Sequence, residues 1–182
     1  MQPKANALKS YHSDLMTFCK AFNPDLQREA AENIDRALFG KAPMLCTIDA
    51  AYGEGSATQW LIPQLYNMCV AVGVKTKLDD VQLIQLAEMI RSEFGNLKVS
   101  EVMLFLWRYK AGHYGELYGA VDPVRIMRAL RGRFSDERAR RIAQHERMEH
   151  ERERKQWAKE AATPAQIEEI KRRFNNNKIT ES

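Results

Sequence analysis

DDVQLIQLAEMIRSEFGNLKVSEVMLFLWRYK, residues 79–110, decides the fold. Leu83, Leu86, Ala87, Ile90 and Phe94 recur at three- and four-residue steps, the spacing that gathers side chains on one stripe of an α-helix. Asp79 or Asp80 is placed to cap its start, and Gly95 to stop it. Ser100 is placed to cap a second helix, in which residues 102–107 are all apolar. Apolar on every side, that helix must be covered on most of them. Residues 100–110 are therefore predicted to lie at the centre of a bundle.

Working outward, the same periodicity continues. Trp60, Leu61, Leu65, Met68 and Val72 predict a helix capped by Ser56 or Thr58 and closed by Gly73. Pro63 falls inside it and predicts either a late start or a kink. Residues 5–22 predict one amphipathic helix through Leu8, Leu15, Phe18, Cys19 and Phe22. Asn23-Pro24 ends it and opens a second, through Leu26, Ala30, Ile34 and Leu38 to Gly40. Residues 41–55 are the least regular and predict a short strand or an irregular loop, with YGEGS (52–56) a turn before a helix.

Downstream, Asp122-Pro123 is a strong helix start, followed by a stripe of Ile126, Met127, Leu130 and Phe134. Beyond it the stripe thins to Ile142, Met148 and Trp157 among charges. A polar helix of that kind projects into solvent or lies on a partner. Thr163-Pro164 opens a last short helix with Ile167, Ile170 and Phe174. The prediction is an all-α helical bundle with a long charged C-terminal helix. Its expected divisions are N-terminal helices and an irregular linker (1–55), a bundle core (56–134) and a charged helical tail with a frayed end (135–182).

Between the two clear halves lies AGHYGELYGAVDP, residues 111–123. Gly112 sits where a helix C-cap needs positive φ, and Gly115 and Gly119 allow turns beside Tyr114 and Tyr118. The stretch lacks the lysine and hydroxyl that end a P-loop, and no strand precedes it. A structural corner is the favoured reading, ahead of a partner-binding loop.

Charge is unevenly spread. Residues 125–174 hold 15 Lys/Arg against 9 Asp/Glu, a net of +6, while the whole chain is +4. Such an excess suits a nucleic-acid or acidic-partner surface, though a solvated basic face is the plainer reading. On a helical wheel Arg125 and Arg128 point away from the apolar stripe, with Arg131 and Arg133 on its flanks. Guanidinium groups match phosphate geometry, and Tyr114 and Tyr118 are near enough in sequence to stack unpaired bases.

Catalysis finds little support. In HERMEH, His145 and His150 stand five apart, about 140° around a helix, so they do not share an ion as the i, i+4 pair of a zinc motif does. Cys19, Cys46 and Cys69 form no CxxC pair and read as reduced thiols. No spacing suggests a carboxylate pair or a nucleophile triad. No enzyme activity, cofactor or metal site is expected. With no apolar run near the ~18 residues of a membrane span, and no apolar leader at residues 1–10, a cytoplasmic protein is expected.

Across residues 56–138 one set of residues stands out together. It comprises Trp60-Leu61, Gln64-Leu65, Gln82, Leu86-Ala87, Leu97-Lys98, Glu101, Phe105 or Leu106, Lys110, Gly112, Tyr114-Gly115, Tyr118-Gly119, Asp122-Pro123 and Arg138. In these the chain resembles a family of uncharacterised helical proteins from phages and mobile elements of gut bacteria. The resemblance implies an all-helical, cytosolic, phage-borne protein and carries no reaction or cofactor. The charged tail after Phe134 is expected to depart from that family. A looser likeness, in size, helix content and setting, is to phage helicase loaders and replication accessory proteins. The expected function is a non-catalytic, replication-associated accessory contacting nucleic acid through its basic helix. The alternative is a protein-binding inhibitor or adaptor that uses the tail against a host or helicase partner.

Overall fold

A computed structural model describes residues 2–73, 77–115, 120–160 and 167–168. In chain order these form α1 (Gln2–Tyr11), α2 (Leu15–Ala21), a 3-10 turn (Pro24–Leu26), α3 (Gln27–Glu32), α4 (Ile34–Phe39) and α5 (Leu45–Tyr52). Then come α6 (Ser56–Ala71), α7 (Asp80–Glu93), α8 (Val99–Lys110), α9 (Pro123–Ala129), a π turn (Leu130–Phe134) and α10 (Ser135–Glu160). The fold is all-α, with a long charged C-terminal helix. Among the described residues no helix is long and apolar enough to cross a membrane. Contacts divide the chain into two compact units, Met1–Arg138 and Ala139–Ser182.

In the first unit α8 is central, as its composition predicts. Val102, Met103, Leu104, Phe105 and Leu106 are all buried, and α3, α4 and α6 pack around them. α7 lies on α6 through Leu83, Leu86, Ala87 and Ile90 and also touches α9. Trp107 differs from the rest of the run. It is half-buried at the rim, with the Lys110 ammonium 4.8 Å from its ring centroid. The buried tryptophan is Trp60, whose indole N–H donates to the Phe22 carbonyl at 2.9 Å.

Residues 2–55, expected as a separate segment, share this core. Gln27 and Gln64 are fully buried, and Gln27 Nε2 donates to Gln64 Oε1 at 2.8 Å. Gln64 in turn donates to the Phe22 carbonyl. The two long N-terminal helices that periodicity predicts are each broken in the middle. Asp14 leaves the helix to accept from the Thr17 N–H at 2.8 Å, and Asn33 does the same for Arg36 at 2.9 Å. Short polar side chains compete with the helix for backbone donors, so each becomes an N-cap in place of an interior residue.

Residues 41–55 are neither strand nor loop but mainly helix. The chain at 43–46 runs beside 95–99, with hydrogen bonds Leu45 N to Leu97 O and Cys46 N to Gly95 O, both 2.9 Å. It then enters α5, which buries Leu45, Thr47, Ile48 and Ala51. Pro63 neither delays nor replaces the start of α6, which begins at Ser56 with the proline inside it. The predicted helix at 163–174 lies outside the described residues, except for 167–168.

Because Phe105 is fully buried and Trp107 is not, truncating them should differ. Phe105→Ala is expected to cost about 3–5 kcal/mol in a denaturant titration, and Trp107→Ala clearly less. Equal losses would place the centre of the bundle elsewhere.

Candidate functional site

The basic helix is pinned at both ends. At its start, the Asp122 carboxylate accepts from the Val124 N–H at 2.8 Å, Pro123 occupies the first turn, and Ile126 and Met127 are buried. Further along, Arg138 Nε donates to Glu101 at 2.7 Å, and Arg108 donates to Glu137 at 2.7 Å. Between these anchors the chain holds one residue more than an α-helix accommodates, and the excess appears as the π turn at Leu130–Phe134. The Leu130 carbonyl accepts both the backbone N–H and, at 2.7 Å, the hydroxyl of Ser135.

An extra residue in one turn shifts the side chains after it by about 100°. Arg133, well round the helix from Arg128 in a straight wheel, therefore comes into line with Arg125 and Arg128. Arg131, on the other flank, meets α7, where its Nε and Nη2 both donate to Glu93. The wheel places these two arginines on opposite flanks of the stripe, and the π turn brings one of them, Arg133, into line with Arg128.

Arg125, Arg128 and Arg133 line a groove of about 470 Å³ together with Ala129, Gly132, Tyr109, Tyr114 and Gly115. The structure thus gathers four of the six residues that sequence nominated. Arg131 is elsewhere, and Tyr118 lies outside the described residues. Sequence did not nominate Tyr109, Gly115 or Gly132 for the site. The available signal was a glycine inside a helix between two arginines, RGR at 131–133.

The electrostatics of the groove are one-sided. Arg125 has Asp122 at 3.9 Å, a loose contact. Among the described residues Arg128 and Arg133 have no carboxylate partner, whereas Arg91, Arg108, Arg131 and Arg138 each have one. The tyrosines form a neutral wall. Tyr109 is 4% exposed, and burial, with a smaller push from Asp122, raises its hydroxyl to about 12. Tyr114 rests its ring on Phe105, with centroids 5.2 Å apart. Its hydroxyl is buried without a hydrogen bond of ordinary geometry, and burial raises it against the nearby pull of Arg108. Tyr109 is buried and offers no ring face to a base, whereas Tyr114 is half-buried with its ring packed on Phe105.

The family model of a family of unknown function, DUF6633, matches residues 77–178, more than half the chain. The chain belongs to this family. No curated protein and no solved structure matches it. Every residue lining the groove falls inside the matched segment. So does the tail as far as residue 178, which corrects the expected departure after Phe134.

Several of the residues singled out within that segment have structural work. Lys98 Nζ donates to the carbonyls of Leu38 and Gly40 at the end of α4. Glu101 caps α8 and holds Arg138. Lys110 donates to Asn67 at 2.9 Å, and Gly112 has φ +79, the C-cap conformation expected of it. In the second unit, His145 and His150 each sit beside a glutamate on their own helix. Among the described residues no three metal-ligating side chains cluster.

The raised Tyr109 hydroxyl links stability to alkaline pH. Its ionised form is disfavoured only in the folded state, so stability should hold below pH about 10 and fall as pH rises toward 12. In denaturant titrations across that range, Tyr109→Phe should lose less stability than the unmodified protein. Identical declines would show that this hydroxyl is not the titrating group.

Proposed function

We propose that the groove at Arg125, Arg128 and Arg133 holds phosphates of a nucleic acid. On this reading the chain is a non-catalytic accessory protein of a phage or mobile element, acting in replication. One observation carries it. Two guanidinium groups without carboxylate partners, Arg128 and Arg133, converge with Arg125 on one recess, while neighbouring arginines are consumed in ion pairs. Convergent cations repel one another, and the helix register holds them together regardless. An occupant with closely spaced negative charges relieves that repulsion, and a phosphate chain supplies such charges together with acceptors for the planar guanidinium donors. The phage setting and the link to replication rest on the family resemblance and on the looser likeness to helicase loaders.

A second reading has its own observation. α10 leaves Met148 48% and Trp157 75% exposed, and a large apolar side chain on a charged helix suits a protein partner. On that reading the tail binds a host or helicase protein as an inhibitor or adaptor.

The two readings separate by mutation. Replacing Arg125, Arg128 and Arg133 with glutamine should weaken nucleic-acid binding and reduce its salt dependence by about 2–3 units of slope, since each neutralised phosphate contributes roughly 0.7–0.9. Arg131→Gln is the control, because Arg131 faces Glu93, and should leave that slope unchanged. Truncation for the second reading belongs after Arg138, not after Phe134, because Arg138 pairs with the buried Glu101. A protein partner lost on that truncation, with no salt-sensitive binding of the full chain to nucleic acid at about 50 mM salt, would decide for the tail.

A further inference from the structure

A glycine inside a helix usually has a reason, because glycine is among the poorest helix formers. Gly40 and Gly95 have one: a Cβ at Gly40 would collide with the Arg36 carbonyl, and one at Gly95 would lie 3.2 Å from the Arg91 carbonyl. Gly53, Gly55, Gly73, Gly112 and Gly115 have another, their positive φ. Gly132 has neither. It lies in the π turn, it is not among the positive-φ glycines, and a Cβ built on it would meet no atom within 4 Å beyond its chain neighbours and its own helix backbone. What its missing side chain does leave open is the surface of the groove between Arg128 and Arg133.

We infer that Gly132 is where the phosphodiester backbone of a single-stranded nucleic acid makes its closest approach to the helix. This rests on the nucleic-acid reading of the same groove. The bare backbone at Gly132 lets a phosphate settle between Arg128 and Arg133, and Arg125 lies within reach of an adjoining phosphate. The groove is also lined by Tyr109, which is buried, and Tyr114, whose ring packs on Phe105, so bases are left to project away from the protein. Binding therefore reads the backbone and is indifferent to sequence. A recess of about 470 Å³ accepts one kinked phosphodiester. A flexible strand can feed such a unit in. A duplex carries its phosphates on a rigid cylinder and cannot kink one of them into the recess.

The test uses a fluorescent oligothymidylate of about ten nucleotides and a duplex of equal length, with thermal melts run in parallel. The full chain should bind the single strand about tenfold more tightly than the duplex. Gly132→Ala should leave the melting temperature unchanged or higher while weakening the single strand severalfold, and Gly132→Gln should weaken it further. Unchanged affinity in both variants, or duplex binding as tight as single-strand binding, overturns the inference while leaving phosphate binding by the arginines intact. A lower melting temperature in Gly132→Ala overturns it too, by showing that the π turn itself needs the glycine. An unmodified protein that binds neither probe removes the nucleic-acid reading as a whole.

Discussion

Glu101 is the constraint on which the rest of the first unit depends. Its side chain is 1% exposed, and a carboxylate taken so far from water must be paired and hydrogen-bonded. Both oxygens are used: Oε2 accepts the Lys98 N–H at 2.7 Å, and Oε1 accepts Arg138 Nε at 2.7 Å. The first bond begins α8, and the second ties Arg138, the last residue of the first unit, to it. Arg138 cannot slide by one position along its helix without leaving that charge unpartnered. With the other end held by Asp122 and by buried Ile126 and Met127, the surplus residue between them has to be absorbed locally. The π turn follows from this, and with it the direction of Arg133.

Other polar contacts of the unit also join the ends of helices. Lys98 and Ser100, at the start of α8, satisfy carbonyls at the end of α4, through Leu38, Gly40 and Ala37. Asp49 of α5 accepts the Ala57 N–H at the start of α6 and also pairs with Arg91 of α7. Helix ends carry unsatisfied backbone groups, so these side chains decide which ends meet. The apolar stripes supply the area that holds the bundle together and are far less selective about register.

This division explains what could be read from the residues alone. The stripes of α7 and α8, the Asp122-Pro123 start and the Gly112 cap depend on neighbours within a few positions, and the sequence displays them. Asp14 and Asn33 were equally visible, but apolar spacing runs across both, and only competition for backbone donors reveals the breaks. Trp107 continues an apolar run and yet ends at the rim, because its burial is decided by which face of α8 the other helices cover. The π turn lies beyond such reading altogether. It arises from Glu101, 37 positions from Arg138 in the chain. A straight helical wheel therefore ranks Arg131 and Arg133 together, although one is tied to Glu93 and the other lines the groove.

The charge surplus of the C-terminal part also looks different once pairing is known. Arg131 and Arg138 are occupied by carboxylates of α7 and α8, so a net charge counted along the sequence misplaces the field. Of the arginines of the first unit in this part, Arg125, Arg128 and Arg133 remain, in a groove that two phenols also line. Phenols keep their protons in the neutral range, and burial raises both of these further, so they add no negative charge to the groove there. A phosphate entering the groove would meet cations together with an uncharged surface.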